Sequence, residues 1–174
     1  PNPRRMYAAF VSTFDDYLGE LRTFLAAEGL AENTIIVFQS DNGHSMEERT
    51  FRGGGYSGPY RSGKFSMFEG GIRVPAIICW PKELPQGEVR DQIAMNIDWF
   101  PTLVDLCGLS AEGMDVDGKS LVELIKDGSR PSPHEVLHFD FGDQWMVRLG
   151  NWKLIANPED VTPKQRIVQK GLFL

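Results

Sequence analysis

Residues 34–38 read Thr-Ile-Ile-Val-Phe, an unbroken β-branched and apolar run that directly follows a long amphipathic segment. No other feature narrows the fold as far. β-branched side chains suit a pleated strand. A strand that is apolar at successive positions has no face to offer water, so it belongs inside a sheet covered on both sides. The preceding segment, Tyr7–Ala27, places Tyr7, Phe10, Val11, Phe14, Leu18, Leu21 and Leu25 at spacings of 3, 1, 3, 4, 3 and 4, which is one stripe of an α-helix. Asp15, Asp16, Glu20 and Arg22 fall mostly off that stripe. Gly29 stands where a left-handed cap would end the helix. Helix, tight turn and buried strand together predict an α/β layered domain with this strand central in a parallel sheet.

The rest of the chain divides in two. A second apolar strand is expected over Val74–Trp80, stopped by Pro81 and Pro85. Asp98 is placed to N-cap a helix running through Leu106, with Pro101 in its first turn and Gly108 at its end. From about Ser110 the character changes. One short helix, Leu121–Lys126, precedes three short strands, Val136–Phe141, Gln144–Leu149 and Trp152–Ala156. Turns at Gly142-Asp143 and Gly150-Asn151 separate them, which predicts an antiparallel meander. The expected organisation is an α/β unit over residues 1–110 and a small C-terminal antiparallel β subdomain over 111–174.

Composition excludes several classes. The 174 residues carry 41% hydrophobic and 24% charged side chains, a globular balance. A net charge of −6 argues against a general nucleic-acid binder, which needs a basic face to displace counterions. No apolar run approaches the roughly 18 residues of a membrane span. The two cysteines, Cys79 and Cys107, are too few for a disulfide scaffold. The chain starts at Pro1 without Met and ends in apolar Gly171-Leu-Phe-Leu174, so it is expected to be part of a longer protein.

Glycine is in excess at 18 residues, and seven of them lie between Gly53 and Gly71. This polar, aperiodic segment is longer than most structureless loops, and such loops often carry function. Asp41-Asn42 lies at the carboxyl end of the first strand, where ligands gather in open α/β sheets. A carboxylate and an amide oxygen suit a hard cation such as Ca²⁺ or Mg²⁺, although Asp-Asn-Gly is also a common turn. Lys64 sits inside the glycine-rich run and could meet an oxyanion or simply be solvated. Arg61 and Arg73 could bind an anion or pair with Glu69 or another carboxylate, and the structural role is the better fit for Arg73. His134 falls in a Pro-flanked linker and carries no assigned role. His138 falls in a strand, and Trp99, Trp145 and Trp152 read as packing residues.

Four blocks in order, "NTIIVFQSDNG", "GPYRSGKFSMFEGGIRVPAIICWP", "NIDWFPTLVDLCGL" and "MVRLGNWKLI", resemble the C-terminal part of a type I sulfatase, of the arylsulfatase group in the alkaline-phosphatase-like superfamily. The resemblance runs from about Tyr7 to Ile155. It implies that Asp41 and Asn42 are divalent-cation ligands, usually for Ca²⁺, and that Lys64 binds the sulfate group of the substrate. It puts the subdomain carrying Gln144 and Arg148 at the edge of the substrate cleft, which makes them candidate substrate contacts. His44, which follows Asp41-Asn42, could touch a leaving group or the metal or be a loop histidine without a role, and Arg61 is a further candidate substrate contact. The family nucleophile, a Cys or Ser in a C/S-x-P-x-R motif converted to formylglycine, would lie upstream in the N-terminal half. Two sequences here imitate that motif. Cys79-Trp-Pro-Lys-Glu83 has Glu in place of Arg. Ser57-Gly-Pro-Tyr-Arg61 fits literally but lies in the lysine loop.

The expectation is therefore a portion of an enzyme that hydrolyses sulfate esters, inactive alone, acting on a sulfated small molecule or saccharide. Export or a lysosomal location is what the family implies. Association with itself or with the N-terminal half is expected from apolar sheet surface. A phosphoesterase or phosphonate hydrolase of the same superfamily, or a non-catalytic module that binds sulfated glycans, are the alternatives.

Overall fold

The structure, a computed structural model, describes residues 2–51, 53–162, 167–168 and 171–173. Pro1 and Leu174, the two chain ends, lie outside the described residues. Helix α1 spans Pro3–Ala27. Asn2 caps it, its side chain accepting from the Arg5 N–H, and Pro3 takes the first turn where its missing N–H costs nothing. At the other end Gly29 adopts φ 69°. The Leu30 N–H reaches the Leu25 carbonyl at 2.8 Å and the Gly29 N–H reaches Ala26 at 3.1 Å, a paired closure that a left-handed residue permits.

Strand β1 (Ile36–Gln39) pairs with β2 (Ala76–Cys79) in antiparallel sense, with Val37 opposite Ile78 and Phe38 opposite Ile77. This corrects the expected parallel arrangement. The physical reason is the return path: segment 40–75 leaves β1 and re-enters β2 at the same end, so the strands must run oppositely. That geometry gathers everything carried by the long segment at one end of the strand pair. The two strands are also less covered than their sequence suggests, with Ile77 60% exposed and Cys79 exposed rather than in a core strand. The apolar stripe of α1 is likewise open. Phe10, Phe14 and Leu21 are exposed, although the Phe14 ring meets Phe38 of β1 with centroids 5.8 Å apart.

Helix α2 (Glu69–Ile72) leads into β2, α3 covers Trp99–Leu106 and α4 covers Val122–Lys126. Asp98 does not cap α3 with its side chain. It is fully buried, accepting from the Met95 N–H at 2.7 Å, the Lys119 N–H at 2.9 Å and His134 Nε2 at 2.8 Å. His134 is therefore a buried tie to Asp98 rather than a linker residue without a role. Thr102 extends this knot, donating to the Asp98 carbonyl and accepting from the Leu121 N–H.

The C-terminal strands fall where the sequence places them: β3 (Val136–Phe141), β4 (Gln144–Leu149) and β5 (Trp152–Ala156) form an antiparallel meander. Gly142 (φ 61°) and Gly150 (φ 55°) take the first central position of the two tight turns. Short strands follow, with β6 (Glu159–Asp160) paired to β7 (Ile167–Val168) and β8 (Leu172–Phe173) added beside β5. Trp152 is 73% exposed, not a packing residue. The core is the contact between this sheet and the glycine-rich segment: Leu137, Met146 and Ile155 pack on Met67, with Phe68 and Ile72 beside them. Among the described residues no helix is long and apolar enough to cross a membrane.

Candidate functional site

The glycine excess has a steric cause. Gly43, directly after Asp41-Asn42, donates its N–H to the Gly71 carbonyl at 2.8 Å. A Cβ on Gly43 would lie 1.8 Å from the Gly70 oxygen. A Cβ on Gly70 would lie 2.2 Å from the Ser62 oxygen, one on Gly71 2.1 Å from the Ser66 oxygen, and one on Gly63 2.6 Å from the His44 oxygen. Backbone therefore packs on backbone with no room for a side chain. The Lys64 N–H donates to the His44 carbonyl at 3.0 Å. The Asp41-Asn42 turn and the Lys64 loop are thus held as one unit by main-chain bonds.

That unit opens on a cleft of ≈ 890 Å³ whose lining includes Asp41, Asn42, Lys64, Glu69, Arg73 and Arg148. Asp41 uses one carboxylate oxygen, Oδ1, to accept the Asn42 N–H at 2.9 Å. Its Oδ2 and the Asn42 side-chain amide have no partner among the described residues. These oxygens are the hard donors a Ca²⁺ or Mg²⁺ ion takes. They fit part of such a site only: no group of three or more His, Cys, Asp or Glu among the described residues could hold a metal. The Lys64 ammonium lies 5.4 Å from the centre of the Phe65 ring, and behind the hydrogen bond from Arg49 its charge helps to lower the pKa of Glu47.

The other expected site residues are placed differently. Arg148 lines the cleft, but its Nε donates to the Gly150 carbonyl at 2.9 Å and its Nη1 lies 3.7 Å from Glu69. Arg61 does not line the cleft. Its Nε bonds Asp160 at 2.6 Å and its guanidinium lies 4.1 Å above the Phe68 ring. Gln144 is buried, its amide donating to the Phe65 carbonyl at 2.9 Å and accepting from the Glu159 N–H at 2.9 Å. Both ends of that side chain are spent inside the protein, and Gln144 is outside the cleft lining. His44 lies outside the cleft lining as well, its ring wedged against Gly55 and Gly63, and burial holds its pKa below the ordinary histidine value. Ser57 donates to the Tyr60 and Ser62 carbonyls and is outside the cleft lining, so its S-x-P-x-R context shapes a turn.

Sequence reasoning expected Arg73 to pair with Glu69 or another carboxylate but missed the two further cations, Arg148 and Lys153, that gather on Glu69. The register of β4 and β5 sets Arg148 beside Lys153 on one face, and both reach Glu69 on α2. Lys153 Nζ lies 2.7 Å from Oε1, and Arg73 Nη1 lies 3.9 Å from Oε2. Burial lowers the pKa of Lys153 and the Glu69 carboxylate opposes that shift. The signal was a lysine between Trp152 and Leu154 in a strand, a charge that must find a partner when the sheet face is covered.

Comparison with known proteins gives one answer. The sulfatase family model matches residues 2–109, and the model described as N-sulphoglucosamine sulphohydrolase, C-terminal, matches residues 61–160. Human steryl-sulfatase is 38% identical over 136 residues, covering 76% of this chain and 23% of the relative. Rat N-acetylgalactosamine-6-sulfatase is 33% identical over 154 residues, covering 86% and 28%. The solved PsFucS1 sulfatase from Pseudoalteromonas sp. superposes with a TM-score of 0.74 at 27% identity, over 91% of this chain and 34% of that one. A protein solved in complex with its substrate D-glucosamine-2-N,6-O-disulfate gives 0.66 at 26% identity, over 84% and 30%. The chain spans about a quarter of the length of the curated relatives it matches.

Proposed function

The chain belongs to the sulfatase family, and on that premise we propose that it is the part of a sulfuric ester hydrolase that grips the sulfate group. The observation that carries this is the cleft itself: Asp41, Asn42 and Lys64 line one opening. The Lys64 ammonium would hold sulfate oxygens and offset the charge that develops on them as the ester bond breaks. Asp41 and Asn42 would hold a divalent cation, Ca²⁺ or Mg²⁺, which when bound polarises the same oxygens. The remaining ligands and the formylglycine nucleophile come from outside these residues, so the chain alone turns over no ester. The saccharide sulfates named for N-acetylgalactosamine-6-sulfatase and for the disulfated glucosamine complex support a sulfated sugar as substrate. The open apolar stripe of α1 supports packing against the rest of such an enzyme.

The test is turnover of an aryl sulfate and an aryl phosphate by the complete enzyme. Lys64→Ala is expected to lower kcat/KM for the sulfate by about a hundredfold or more. Asp41→Ala is expected to make activity depend on added Ca²⁺. Unchanged turnover in Lys64→Ala sinks the proposal, and a preference for the phosphate ester moves it to phosphoester hydrolysis.

A further inference from the structure

Lys64 sits between two residues in an unusual backbone conformation. Ser62 has φ 72° and Phe65 has φ 75°, a left-handed region that side chains other than glycine rarely occupy. Such conformations persist only when the surroundings impose them. Within the loop, Ser57 Oγ donates to the Ser62 carbonyl at 3.1 Å and the Gly70 N–H to the Arg61 carbonyl at 2.8 Å. Among the described residues no bond from within the loop reaches the Phe65 carbonyl or Ser62 Oγ; those are met from β4 and from segment 159–161. Gln144 Nε2 donates to the Phe65 carbonyl at 2.9 Å. The Val161 N–H donates to Ser62 Oγ at 3.0 Å. Arg61, next in the chain, donates from Nε to Asp160 Oδ2 at 2.6 Å. Gln144 also accepts the Glu159 N–H, so the clamp is itself tied together. Gln144, Ser62 and Asp160 are all buried, at 4%, 4% and 6% exposure.

From this arrangement we infer that the C-terminal sheet positions Lys64, with Gln144 and Asp160 as positioning residues that act on the substrate only through that lysine. Neither side chain lines the cleft. The bonds attach at Arg61, Ser62 and Phe65 and leave the Lys64 side chain itself untouched, which is what aiming a cation requires. Asp160 also keeps the charge that its bond to Arg61 needs. Burial pushes its pKa up, but the Arg61 bond and the Thr162 contacts bring it below the usual value, so the carboxylate stays ionised opposite the guanidinium. This inference rests on the proposed sulfate-binding role of Lys64.

The experiment is a double-mutant cycle in the complete enzyme with an aryl sulfate. Gln144→Leu keeps the volume and removes both bonds. It is expected to lower kcat/KM by roughly ten- to a hundredfold, the scale of a displacement of about 1 Å in a catalytic group. In a Lys64→Ala background the same change is expected to cost less than about twofold, because a group acting through Lys64 has nothing left to act on. An equal loss in both backgrounds, or no loss in the first, overturns the inference. If Gln144→Leu does not fold, Asp160→Asn replaces it, with a smaller loss and the same non-additivity expected. A second readout is independent of turnover. Hydrogen exchange at the Lys64 and Ser66 amides is expected to quicken about tenfold or more in Gln144→Leu while β1 amides stay unchanged; unchanged exchange at Lys64 overturns the clamp. A protein with no sulfate turnover but loosened amides would defeat the functional reading and leave the clamp standing.

Discussion

Replacing Gly43 by Ala is the sharpest probe of how the cation ligands and Lys64 are held together. The added Cβ would sit 1.8 Å from the Gly70 oxygen and 2.9 Å from both the Gly70 carbonyl carbon and Gly71 Cα. Non-bonded heavy atoms attract only near about 3.5 Å, so the two backbones must part by more than about 1 Å. All three of these neighbours are main-chain atoms, so no flexible side chain can yield. The Gly43 N–H to Gly71 carbonyl bond, 2.8 Å long, lies across the same gap and would stretch or break. Overpacking costs about 1–3 kcal/mol and the lost hydrogen bond about 1 kcal/mol, so a destabilisation of about 2–4 kcal/mol is expected. Urea unfolding of the complete protein measures it. Gly19→Ala is the control: Gly19 lies in α1 with nothing within 4 Å of its Cβ, and the change should stabilise by about 0.5–1 kcal/mol. Turnover supplies a second reading, because parting the loops moves Asp41 and Asn42 away from Lys64. A Gly43→Ala protein within about 0.5 kcal/mol of its parent, the scale of an ordinary surface substitution, would refute the claim that the glycines serve close backbone contact.

The charged groups give two more tests. Glu69→Gln leaves Lys153 and Arg148, with side chains only 14% and 24% exposed, without their counter-charge; a loss of about 2 kcal/mol in urea unfolding is expected, below the fully buried case because Glu69 is partly solvated, and Lys153→Met in the same background should restore part of it. His44 is held below its ordinary value of 6.5 by burial, so below that pH the unfolded chain binds a proton that the folded chain refuses, and stability falls as pH drops from 6.5 toward the folded pKa. The thermal midpoint of His44→Gln should therefore change less than the parent's over that window, and equal slopes would contradict the assignment.

Local features are legible in the sequence because their causes are local. The helix stripe, the Gly29 cap and the C-terminal meander each follow from periodicity and turn chemistry within a few residues. The direction of β2 is not, because apolar strands look alike whichever way they pair; the return path of segment 40–75 decides it. Gln144 and Arg61 read as facing substrate because polar side chains near a cleft often do. Only their partners show Gln144 turned inward onto Phe65 and Glu159 and Arg61 tied to Asp160, and those partners are mostly far away in sequence. Asp98 and His134 escape sequence reasoning for the same reason: a buried pair across segments leaves no trace in spacing. Asp41, Asn42 and Lys64 are legible as a set only through the order of four sequence blocks, since each alone reads equally well as a turn or a solvated lysine.

Glycine explains how the loops come so close, and it also creates the need for what surrounds them. Each glycine admits a backbone contact that no other residue allows, yet it loses more conformational freedom on folding than any other residue. A loop built this way can bring Lys64 beside Asp41 and Asn42 but cannot keep it aimed. Main-chain bonds and Ser57 supply part of the ordering from within, and the rest comes from groups of fixed geometry on the far side, in β4 and in segment 159–161. The meander and the glycine-rich segment therefore share one core, Met67 against Leu137, Met146 and Ile155, for a reason beyond burial. The apolar contact fixes the distance between sheet and loop, and the hydrogen bonds to Ser62 and Phe65 then fix the direction in which Lys64 points.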